Sequence, residues 1–565
     1  MSLNKHQEQV VKSVGNVLVT ACPGSGKTTV MSHKASRLLS KSSGNLVAVT
    51  FTKDAASELR HRIIKQCGDG YAHRVGAGTF HSLCMTMCKR AGIKFDLIDE
   101  QQRQFIIRKI AGDEIGWQEA QELIDELRSK VERPSEKLRS DLLNSYEAEL
   151  RRFGKHDFQD IIILTVKGLK QGTIEPLNAN WFLVDEVQDM DDWQLEWVLS
   201  HARNGIHCTL VGDDDQSIYG FRGSLGFEGM MKFAREMRAQ TLTLPVNYRC
   251  REEILKPAAK LIENNQNRVF KEINAGRGLG GSIEYKEFET RSLELDYVVS
   301  ERLKNGSSEW GILGRTNALL DEVELELTKY DIKFKRIGGK RFWESAIALL
   351  YLNTLKNLIK PNWLSIQTLF FRFGVDINLL QTSTSAEEIL SKMRSNAKGR
   401  KAVESYLVNH KTWLNELSVR RTESVLKMVA LYIKAHYPLN KDGKSAADVL
   451  IKASEFISTK LSGSLSQRLR AIEMLYSDSK DEESHKITLM TMHASKGLEF
   501  EKAWMLGCED GEIPAKDSPI DEERRLFYVA MTRAKDYLLM TRAKLKVSES
   551  GETKLSESRF LLELN

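Results

Sequence analysis

A glycine-rich segment near the N-terminus constrains the fold of this chain more than any other feature. The apolar run 16–21 leads into a loop, and a helical pattern follows from Lys27 to Ser40. The loop consists of Ala21, Cys22, Pro23, Gly24, Ser25, Gly26, Lys27, Thr28 and Thr29. Glycines in such a strand–loop–helix unit let backbone N–H groups approach a phosphate, and the helix N-terminus favours negative charge. The segment therefore predicts a phosphate-binding loop with Lys27 as a point charge and Thr28 as a ligand of Mg²⁺.

Short apolar runs alternate with helical patterns through much of the chain. Strands are predicted at 16–21, 46–50, 181–184, 209–211, 242–244, 311–313, 334–337, 487–490 and 537–540. This alternation indicates an α/β fold in which parallel sheets carry helices on both faces. Two stretches, 92–160 and 356–482, interrupt the alternation and are predicted to be helical insertions.

Bulk composition narrows the class of protein without identifying it. The 565 residues are 41% hydrophobic and 28% charged, as in globular proteins, and are too many for a single core. We find neither an apolar run long enough to span a bilayer nor a signal-peptide pattern, so we expect a cytoplasmic protein with no membrane partner. The net charge of +6 is compatible with a polyanionic partner but is weak support alone. The seven cysteines lack metal-ligand spacing, which fits a reducing compartment.

An acidic pair completes the predicted nucleotide site. Asp185 and Glu186 follow the apolar run 181–184 directly, at the carboxyl end of a predicted strand. Asp185 suits Mg²⁺ binding, and Glu186 suits activation of an attacking water. Phosphoryl transfer also needs cations near the developing charge, and Arg249 and Arg533 are candidates, although an arginine taken alone is more often part of a surface ion pair.

The segment 211–223 combines acidic, aromatic and cationic residues after another predicted strand. Its sequence is VGDDDQSIYGFRG, which contains Tyr219, Phe221 and Arg222. Aromatic rings beside a nucleotide site can stack on the bases of a single strand, whereas core packing is the alternative for any one ring. We therefore predict single-stranded nucleic acid as the partner.

The motifs together resemble the UvrD/Rep group of superfamily 1 DNA helicases, from residue 3 to about residue 541. The loop shares with that group an alanine at its first position, Ala21. The other matching segments, in the group's order, are LNxxQ (3–7), TFTKDAASELRHRI (50–63), GTFHSL (78–83), VDEVQD (184–189), VGDDDQSIYGFRG (211–223), NYR (247–249), TMHASKGLEF (491–500) and EERRLFYVAMTRA (522–534).

This resemblance implies two RecA-like P-loop domains with parallel sheets, each interrupted by a mainly helical insertion, with ATP and Mg²⁺ between them. The implied division is 1–91 and 161–245 for the first domain, 92–160 for its insertion, 246–355 and 483–565 for the second domain, and 356–482 for its insertion. The implied ATP contacts beyond the loop are Gln7 and Tyr248 at the adenine, Glu499 at the ribose, Gln216 as γ-phosphate sensor, and Arg249 and Arg533 as arginine fingers.

The resemblance also implies a DNA track over both domains. The residues in question are Thr50, Phe51, Thr52, Thr79, His81, Tyr219, Phe221, Arg222, Arg315, Asn317, Thr491 and His493. Phe51, Tyr219 and Phe221 are expected to stack on bases, and His81 and His493 have burial and hydrogen bonding as an alternative. The sequence departs from the group at Phe221, where tryptophan is frequent, and at 345–348, where a charged segment is usual. The second insertion is also shorter than usual.

The expected function is an ATP-dependent DNA helicase that moves 3′ to 5′ on single strands. A translocase that mainly strips bound proteins is the alternative, because the reduced second insertion bears on strand separation. A third hypothesis, a DNA-binding adaptor without ATPase activity, conflicts with the intact Lys27, Asp185 and Glu186. Expected partners are single-stranded DNA and its junctions with duplex, with a loading or single-strand-binding protein as a further candidate. A monomer is assumed by default.

Overall fold

Strand β1, which precedes the glycine-rich loop, lies in the interior of a parallel six-stranded sheet. The computed structural model describes residues 3–111, 116–304, 308–438, 441–477, 485–548 and 551–564. The strands of the first sheet are β1 (Val17–Ala21), β2 (Leu46–Thr50), β3 (Val75–Thr79), β4 (Trp181–Val184), β5 (His207–Gly212) and β6 (Gln240–Leu244). Their order across the sheet is β3-β2-β4-β5-β1-β6. All five residues of β1 and of β2 are buried, which explains their continuous apolar character.

Helices cover this sheet on both faces, as expected for parallel strands joined by crossovers. The helices of this part of the chain are α1 (Lys5–Lys12), α2 (Lys27–Lys41), α3 (Lys53–Cys67), α4 (Phe80–Arg90), α5 (Glu100–Ala111), α6 (Trp117–Ser129), α7 (Lys137–Arg152), α8 (Phe158–Gln171), α9 (Asp192–Arg203) and α10 (Gly226–Glu236). Separate apolar clusters fill the two faces, one around Trp197 and Phe182 and the other around Val30 and Leu59. The predicted insertion 92–160 contains α5, α6 and α7, which enclose a small core of their own around Ile107 and Tyr146.

The chain continues through a short two-stranded element into a second sheet. The elements in order are β7 (Val246–Asn247), α11 (Glu252–Ile262), β8 (Asn274–Ala275), β9 (Ser282–Thr290), α12 (Arg291–Tyr297), β10 (Trp310–Gly314), α13 (Asn317–Lys329) and β11 (Lys335–Ile337). An all-helical stretch follows: α14 (Ala346–Ile359), α15 (Trp363–Arg372), α16 (Ile377–Gln381), α17 (Ala386–Lys392), α18 (Arg400–Ser418), α19 (Thr422–His436), α20 (Lys441–Lys460) and α21 (Leu465–Ser477). These helices share one apolar core that includes Tyr351, Phe370 and Trp413.

The last part of the chain completes the second sheet. Its elements are β12 (Ile487–Thr491), β13 (Phe500–Leu506), α22 (Ile520–Met531), β14 (Ala534–Ser548), β15 (Gly551–Lys554) and α23 (Arg559–Leu562). The sheet has the order β11-β12-β10-β13-β14-β15, and β9 also pairs with β14. Strands β11, β12, β10 and β13 are parallel, whereas β15 returns antiparallel to β14.

The chain groups into two units. Unit 1 comprises Met1–Ser282, Asp517–Asp536 and Leu562–Asn565, and unit 2 comprises Ile283–Lys516 and Tyr537–Leu561. Helix α22 therefore belongs to unit 1 although it is encoded near the end of the chain. The four-part division expected from the sequence stays a prediction, and its boundary at 482–483 lies outside the described residues.

Among the described strands, the sequence analysis missed six, which are β3, β9, β13 and the short β7, β8 and β15. Strand β3 reads Val-Gly-Ala-Gly-Thr, and its two glycines hide it from any count of strand-forming residues. Strand β13 begins Phe-Glu-Lys, and seven of the nine residues of the edge-lying β9 are charged or carry a hydroxyl group. Among the described helices, none has the length and apolar character needed to cross a membrane.

Candidate functional site

The glycine-rich loop follows β1 and ends where α2 begins. Gly24 and Gly26 adopt positive φ angles of 63° and 80°, a conformation that favours glycine. A Cβ atom at Gly24 would also lie 2.6 Å from Cβ of Arg249, so a side chain there would displace the arginine. Both glycines are therefore required, one of them by close approach of a second functional residue.

The turn that carries Tyr248 and Arg249 is anchored on this loop. The Tyr248 N–H donates to the carbonyl of Gly24 at 2.9 Å. Asn247 is fully buried, and its side-chain oxygen accepts from the N–H groups of Arg249 and Cys250, each at 2.7 Å. The turn thus places Arg249 at the phosphate loop and leaves the Tyr248 ring 45% exposed beside it.

Gln7 lies against the other side of the loop. Its side-chain amide donates to the carbonyl of Ser25 at 3.0 Å, and its side-chain oxygen accepts from the Asn4 N–H at 3.0 Å. Asn4 caps α1 and donates from Nδ2 to the hydroxyl of Tyr248 at 2.7 Å. Gln7 and Tyr248, the two expected adenine contacts, are therefore linked through Asn4.

The acidic pair faces Lys27. Lys27 Nζ lies 2.9 Å from Glu186 Oε2, and Gln188 Nε2 donates to the same oxygen at 2.7 Å. Burial alone would lower the pKa of Lys27, but the charges of Glu186, Asp185 and Asp213 raise it. Burial, followed by the charge of Glu186, raises the pKa of Asp185 to about 6. A half-buried carboxylate whose pKa is raised is a group that a bound cation would stabilise.

Two arginines bring positive charge to the same place. Arg533 is fully buried, and its Nη2 donates to Oε1 of Gln216 at 3.2 Å. Burial, and next the charge of Arg249, lower the pKa of Arg533 to about 9. Holding two guanidinium groups together in a desolvated place is unfavourable, and a polyanion between them would relieve it. The charge arrangement therefore fits a nucleotide phosphate.

Gln216 is the centre of a chain of buried polar contacts. Its Nε2 donates to Oδ2 of Asp213 at 2.6 Å, while Oε1 accepts from Arg533. Asp213 in turn accepts from Lys271 Nζ at 2.6 Å. Lys271, Asp213, Gln216 and Arg533 thus form a continuous chain in which each member orients the next.

Lys271 sits among three consecutive aspartates, a cluster that the sequence analysis missed. Its ammonium lies 2.6, 2.7 and 3.0 Å from oxygens of Asp213, Asp214 and Asp215, and Arg268 forms two parallel hydrogen bonds to Asp215. Burial would lower the pKa of Lys271, but the aspartates raise it well above its ordinary value. The three carboxylates are close enough for a metal site, but the Lys271 ammonium already contacts all three. Three acids in a row after a buried strand were the available signal that a buried cation was needed.

The exposed aromatic residues follow the neighbouring strands. Phe51 follows β2 and is 36% exposed, with its ring 5.6 Å from that of the buried Phe80. Thr52 caps α3 and Thr79 caps α4, so both hydroxyl groups lie at helix N-termini at the same sheet edge. Thr50 is buried, and its hydroxyl donates to the Thr52 carbonyl, which supports this turn from the interior.

His81, in the first turn of α4, lies against an aromatic residue that the sequence analysis missed. The Phe158 ring is centred 5.5 Å from the His81 ring, and Phe158 is 64% exposed at the start of α8. Burial lowers the pKa of His81, so the imidazole is neutral at physiological pH. The sequence signal that was available for Phe158 was a phenylalanine at the first position of a helix.

The segment Tyr219–Gly223, which we call the aromatic loop, also lies in unit 1. Phe221 is 61% exposed, and the Arg222 guanidinium carbon lies 5.4 Å from the centres of both the Tyr219 and Phe221 rings. A Cβ atom at Gly223 would lie 2.0 Å from Oγ of Ser129 at the end of α6, so the insertion contacts the loop closely. The loop therefore presents aromatic faces and a cation from a fixed backbone.

The remaining expected contacts lie in unit 2. Arg315 follows β10 and Asn317 begins α13, while Thr491 ends β12 and His493 follows it. Gly314 and Thr491 are register partners in parallel strands, so these four residues share one edge of the second sheet. Glu499 is exposed and precedes β13.

Strand order divides the edge of the first sheet between two kinds of residue. Carboxyl ends of parallel strands meet at one edge, where α/β proteins bind their ligands. The nucleotide-type residues follow β1, β4 and β5, Phe51 and Thr79 follow or end the adjacent β2 and β3, and the aromatic loop follows Gln216 after β5. One edge can therefore hold a phosphorylated nucleotide beside a strand with stacking bases.

The chain matches known protein families and relatives over most of its length. Residues 3–238 match the UvrD/REP helicase N-terminal domain, and residues 242–378 and 377–545 match the UvrD-like helicase C-terminal domain. The chain is 27% identical over 632 residues to the ATP-dependent DNA helicase PcrA of Staphylococcus epidermidis, which covers 100% of the chain and 86% of that protein. It is also 27% identical over 638 residues to DNA helicase II of Haemophilus influenzae, which covers 99% of the chain and 86% of that protein.

Proposed function

Because the chain belongs to the UvrD/REP helicase family, we propose that it is an ATP-dependent DNA helicase that translocates 3′ to 5′ along single-stranded DNA and separates duplex strands. The observation that carries the proposal is the edge of the first sheet, where a partly buried glycine-rich loop lies on the same edge as exposed aromatic residues. The named activities of the relatives support it: they are called ATP-dependent DNA helicase PcrA and DNA helicase II.

The triphosphate of ATP is proposed to bind at the N-terminus of α2. The loop N–H groups and Lys27 hold the phosphates, and in doing so compete with Glu186 for the lysine ammonium. Release from Lys27 raises the basicity of Glu186, which then accepts a proton from the attacking water. Tyr248 stacks on the adenine, Gln7 reads its edge, and Glu499 binds the ribose.

Mg²⁺ is proposed to be held by Thr28 and Asp185. The pairing of a hydroxyl with a half-buried carboxylate whose pKa is raised fits a hard divalent cation that prefers oxygen ligands. When bound, the ion neutralises charge that develops on the phosphates.

Gln216, Arg249 and Arg533 are proposed to complete the transition-state contacts. The two arginines stabilise charge on the transferring phosphoryl group, and Gln216 senses whether that group is present. Since Gln216 bonds Arg533 directly, loss of the γ-phosphate removes a contact that both side chains share.

The DNA strand is proposed to run over the exposed aromatic residues. Phe51, Tyr219 and Phe221 stack on bases, each contact contributing roughly 1–3 kcal/mol, and Phe158 extends this track beside His81. The groups proposed to contact the strand's backbone are Thr52, Thr79, His81 and Arg222 in unit 1 and Arg315, Asn317, Thr491 and His493 in unit 2, with Thr50 as support. The substrate class is single-stranded DNA and its junctions with duplex, in the cytoplasm, with a monomer as the working unit.

The proposal is tested by unwinding of sequence-matched duplexes with a 3′ tail, a 5′ tail or no tail, with ATPase activity measured in parallel with and without Mg²⁺. Unwinding of the 3′-tailed duplex alone is expected. Unwinding of only the 5′-tailed duplex would contradict the polarity. DNA-stimulated ATPase without unwinding of any substrate would favour a translocase that strips bound proteins, or a helicase that needs a loading protein.

A further inference from the structure

Helix α22 contacts the aromatic loop through one side chain. Oε1 of Glu522 accepts a hydrogen bond from the Gly220 N–H at 2.9 Å. Burial raises the pKa of Glu522, while hydrogen bonds from the Gly220 and Phe221 N–H groups act in the opposite direction. A Cβ atom at residue 220 would lie 2.9 Å from Oε2 of Glu522, so the carboxylate approaches the loop as closely as a glycine permits.

The other end of the same helix reaches the nucleotide site. Arg533 lies two residues beyond Met531, the last residue of α22, and its Nε donates to the carbonyl of Val529 within the helix at 2.8 Å. Its Nη2 donates to Gln216. Glu522 and Arg533 are separated by about 16 Å along the helix direction.

Helix α22 lacks the residues at which helices commonly bend. Its sequence, IDEERRLFYVAM, contains neither glycine nor proline, and residues 526–531 are all buried. A packed helix without such residues moves as one body rather than bending. The stretch from Gln216 to Phe221 therefore makes two contacts with α22 and the residues that directly follow it. Arg533 contacts the start of the stretch, and Glu522 contacts the aromatic loop.

We propose that Glu522 is a positioning residue that couples ATP hydrolysis to the DNA track, by fixing the aromatic loop to the helix whose far end carries Arg533. When Arg533 moves with the state of the phosphates, α22 moves, and Glu522 carries Tyr219 and Phe221 with it. Glu522 touches neither nucleotide nor DNA in this scheme. The inference rests on the proposed function, because it assigns the nucleotide to one end of the helix and bases to the other.

The test compares Glu522→Ala and Glu522→Gln with Asp521→Asn, in the full chain. Asp521→Asn removes the same charge one residue earlier, where the carboxylate pairs with Arg524 of its own helix. ATPase rates are measured without DNA and over a titration of single-stranded oligothymidylate, and the midpoint of thermal unfolding is measured for each variant.

Glu522→Ala is expected to lower the stimulation by DNA, expressed as the ratio of stimulated to basal rate, about fivefold, because the loop loses its tie to the helix. Glu522→Gln keeps an acceptor oxygen and should stay within about twofold of the wild type. Asp521→Asn should leave the ratio unchanged. Basal ATPase should be unaffected in all three.

Two results would overturn the inference. One is an unchanged stimulation ratio in Glu522→Ala. The other is a fall of basal and stimulated rates by the same factor together with the unfolding midpoint, which would mean that Glu522 only stabilises the fold. Failure of the proposed function is a separate result, since the wild-type protein itself would then hydrolyse ATP no faster with oligothymidylate than without it.

Discussion

At the carboxyl edge of the first sheet, the residues around the phosphate loop, which we call the nucleotide half, differ in burial from the aromatic residues, which we call the aromatic half. Around the phosphate loop, Asp213, Gln216 and Arg533 are between 0% and 5% exposed, and each is hydrogen-bonded to another member of the group. On the same edge of the sheet, by contrast, Phe51 and Phe221 are 36% and 61% exposed. The polar residues of the nucleotide half are thus buried, whereas the apolar rings of the aromatic half are exposed to solvent.

This inversion follows from what each half must bind. Fixed dipoles and charges stabilise a developing charge most strongly where water is excluded, so the polar groups are oriented in advance by burial. Stacking on bases needs an open aromatic face and tolerates any sequence, so those rings stay in solvent. The comparison predicts that substitutions in the buried half affect chemistry and stability, whereas those in the exposed half affect DNA binding.

The largest expected effect is that of Lys27→Ala. Removal of the ammonium should lower the ATPase rate constant by about a thousandfold, since it takes away charge stabilisation at the phosphates. Binding of a fluorescent single-stranded oligonucleotide, measured by anisotropy, should survive. Lys41→Ala, at the exposed end of the same helix, is the matched control. Substantial remaining ATPase activity would mean that the glycine-rich loop is not part of the active site.

The second prediction concerns stability in the buried half. Lys271→Met leaves three buried aspartates without their shared cation, which should cost about 3–5 kcal/mol of unfolding free energy. Denaturant unfolding measures it, with Lys256→Met as control because that lysine is 76% exposed on α11. Equal stabilities for the two variants would mean that the aspartates need no counterion, and the buried half would then differ from the exposed half only in position.

The third prediction addresses the exposed half. Phe51→Ala combined with Phe221→Ala should weaken binding of single-stranded DNA about tenfold or more, because each stacked base contributes roughly 1–3 kcal/mol. Stimulation of the ATPase by DNA should be lost with it. Phe105→Ala removes an equally exposed ring from α5 and serves as the control. Normal stimulation in the double variant would mean that the bases lie elsewhere.

The smallest expected effect lies at the border of the two halves. Tyr248→Ala should raise KM for ATP about fivefold, which corresponds to a stacking contact of about 1 kcal/mol. Tyr248→Phe keeps the ring but loses the hydrogen bond from Asn4, and it should resemble the wild type. If KM rose equally in both variants, the hydroxyl and its link to Asn4 would matter more than stacking.

Sequence patterns predicted the parts of the fold that depend on local chemistry. The continuous apolar runs of β1 and β2 identify buried parallel strands, and Gly24 and Gly26 identify a backbone that must approach another group. Strand β3 was missed because pairing with β2, rather than its own glycine-rich sequence, makes it a strand. Local propensity carries no record of such a neighbour.

The sequence predicted individual residues of the candidate site better than the contacts between them. Motif order located Lys27, Glu186 and Arg533, but no pattern placed Lys271 beside Asp213 or Glu522 beside Gly220, since these pairs are 58 and 302 residues apart in the chain. Phe158 was missed for the same reason, because only folding brings α8 against His81. Contacts between distant segments depend on tertiary packing, which single-sequence patterns do not encode.

The late position of α22 in the chain has a consequence for synthesis. The phosphate loop is translated before Arg533, and the whole of Ile283–Lys516 is translated between them. At about 5–20 residues per second, that interval lasts roughly 10 to 50 s. A nascent chain therefore contains its glycine-rich loop long before Arg533, so under the proposed role of Arg533 we expect no ATP hydrolysis until this arginine has been added.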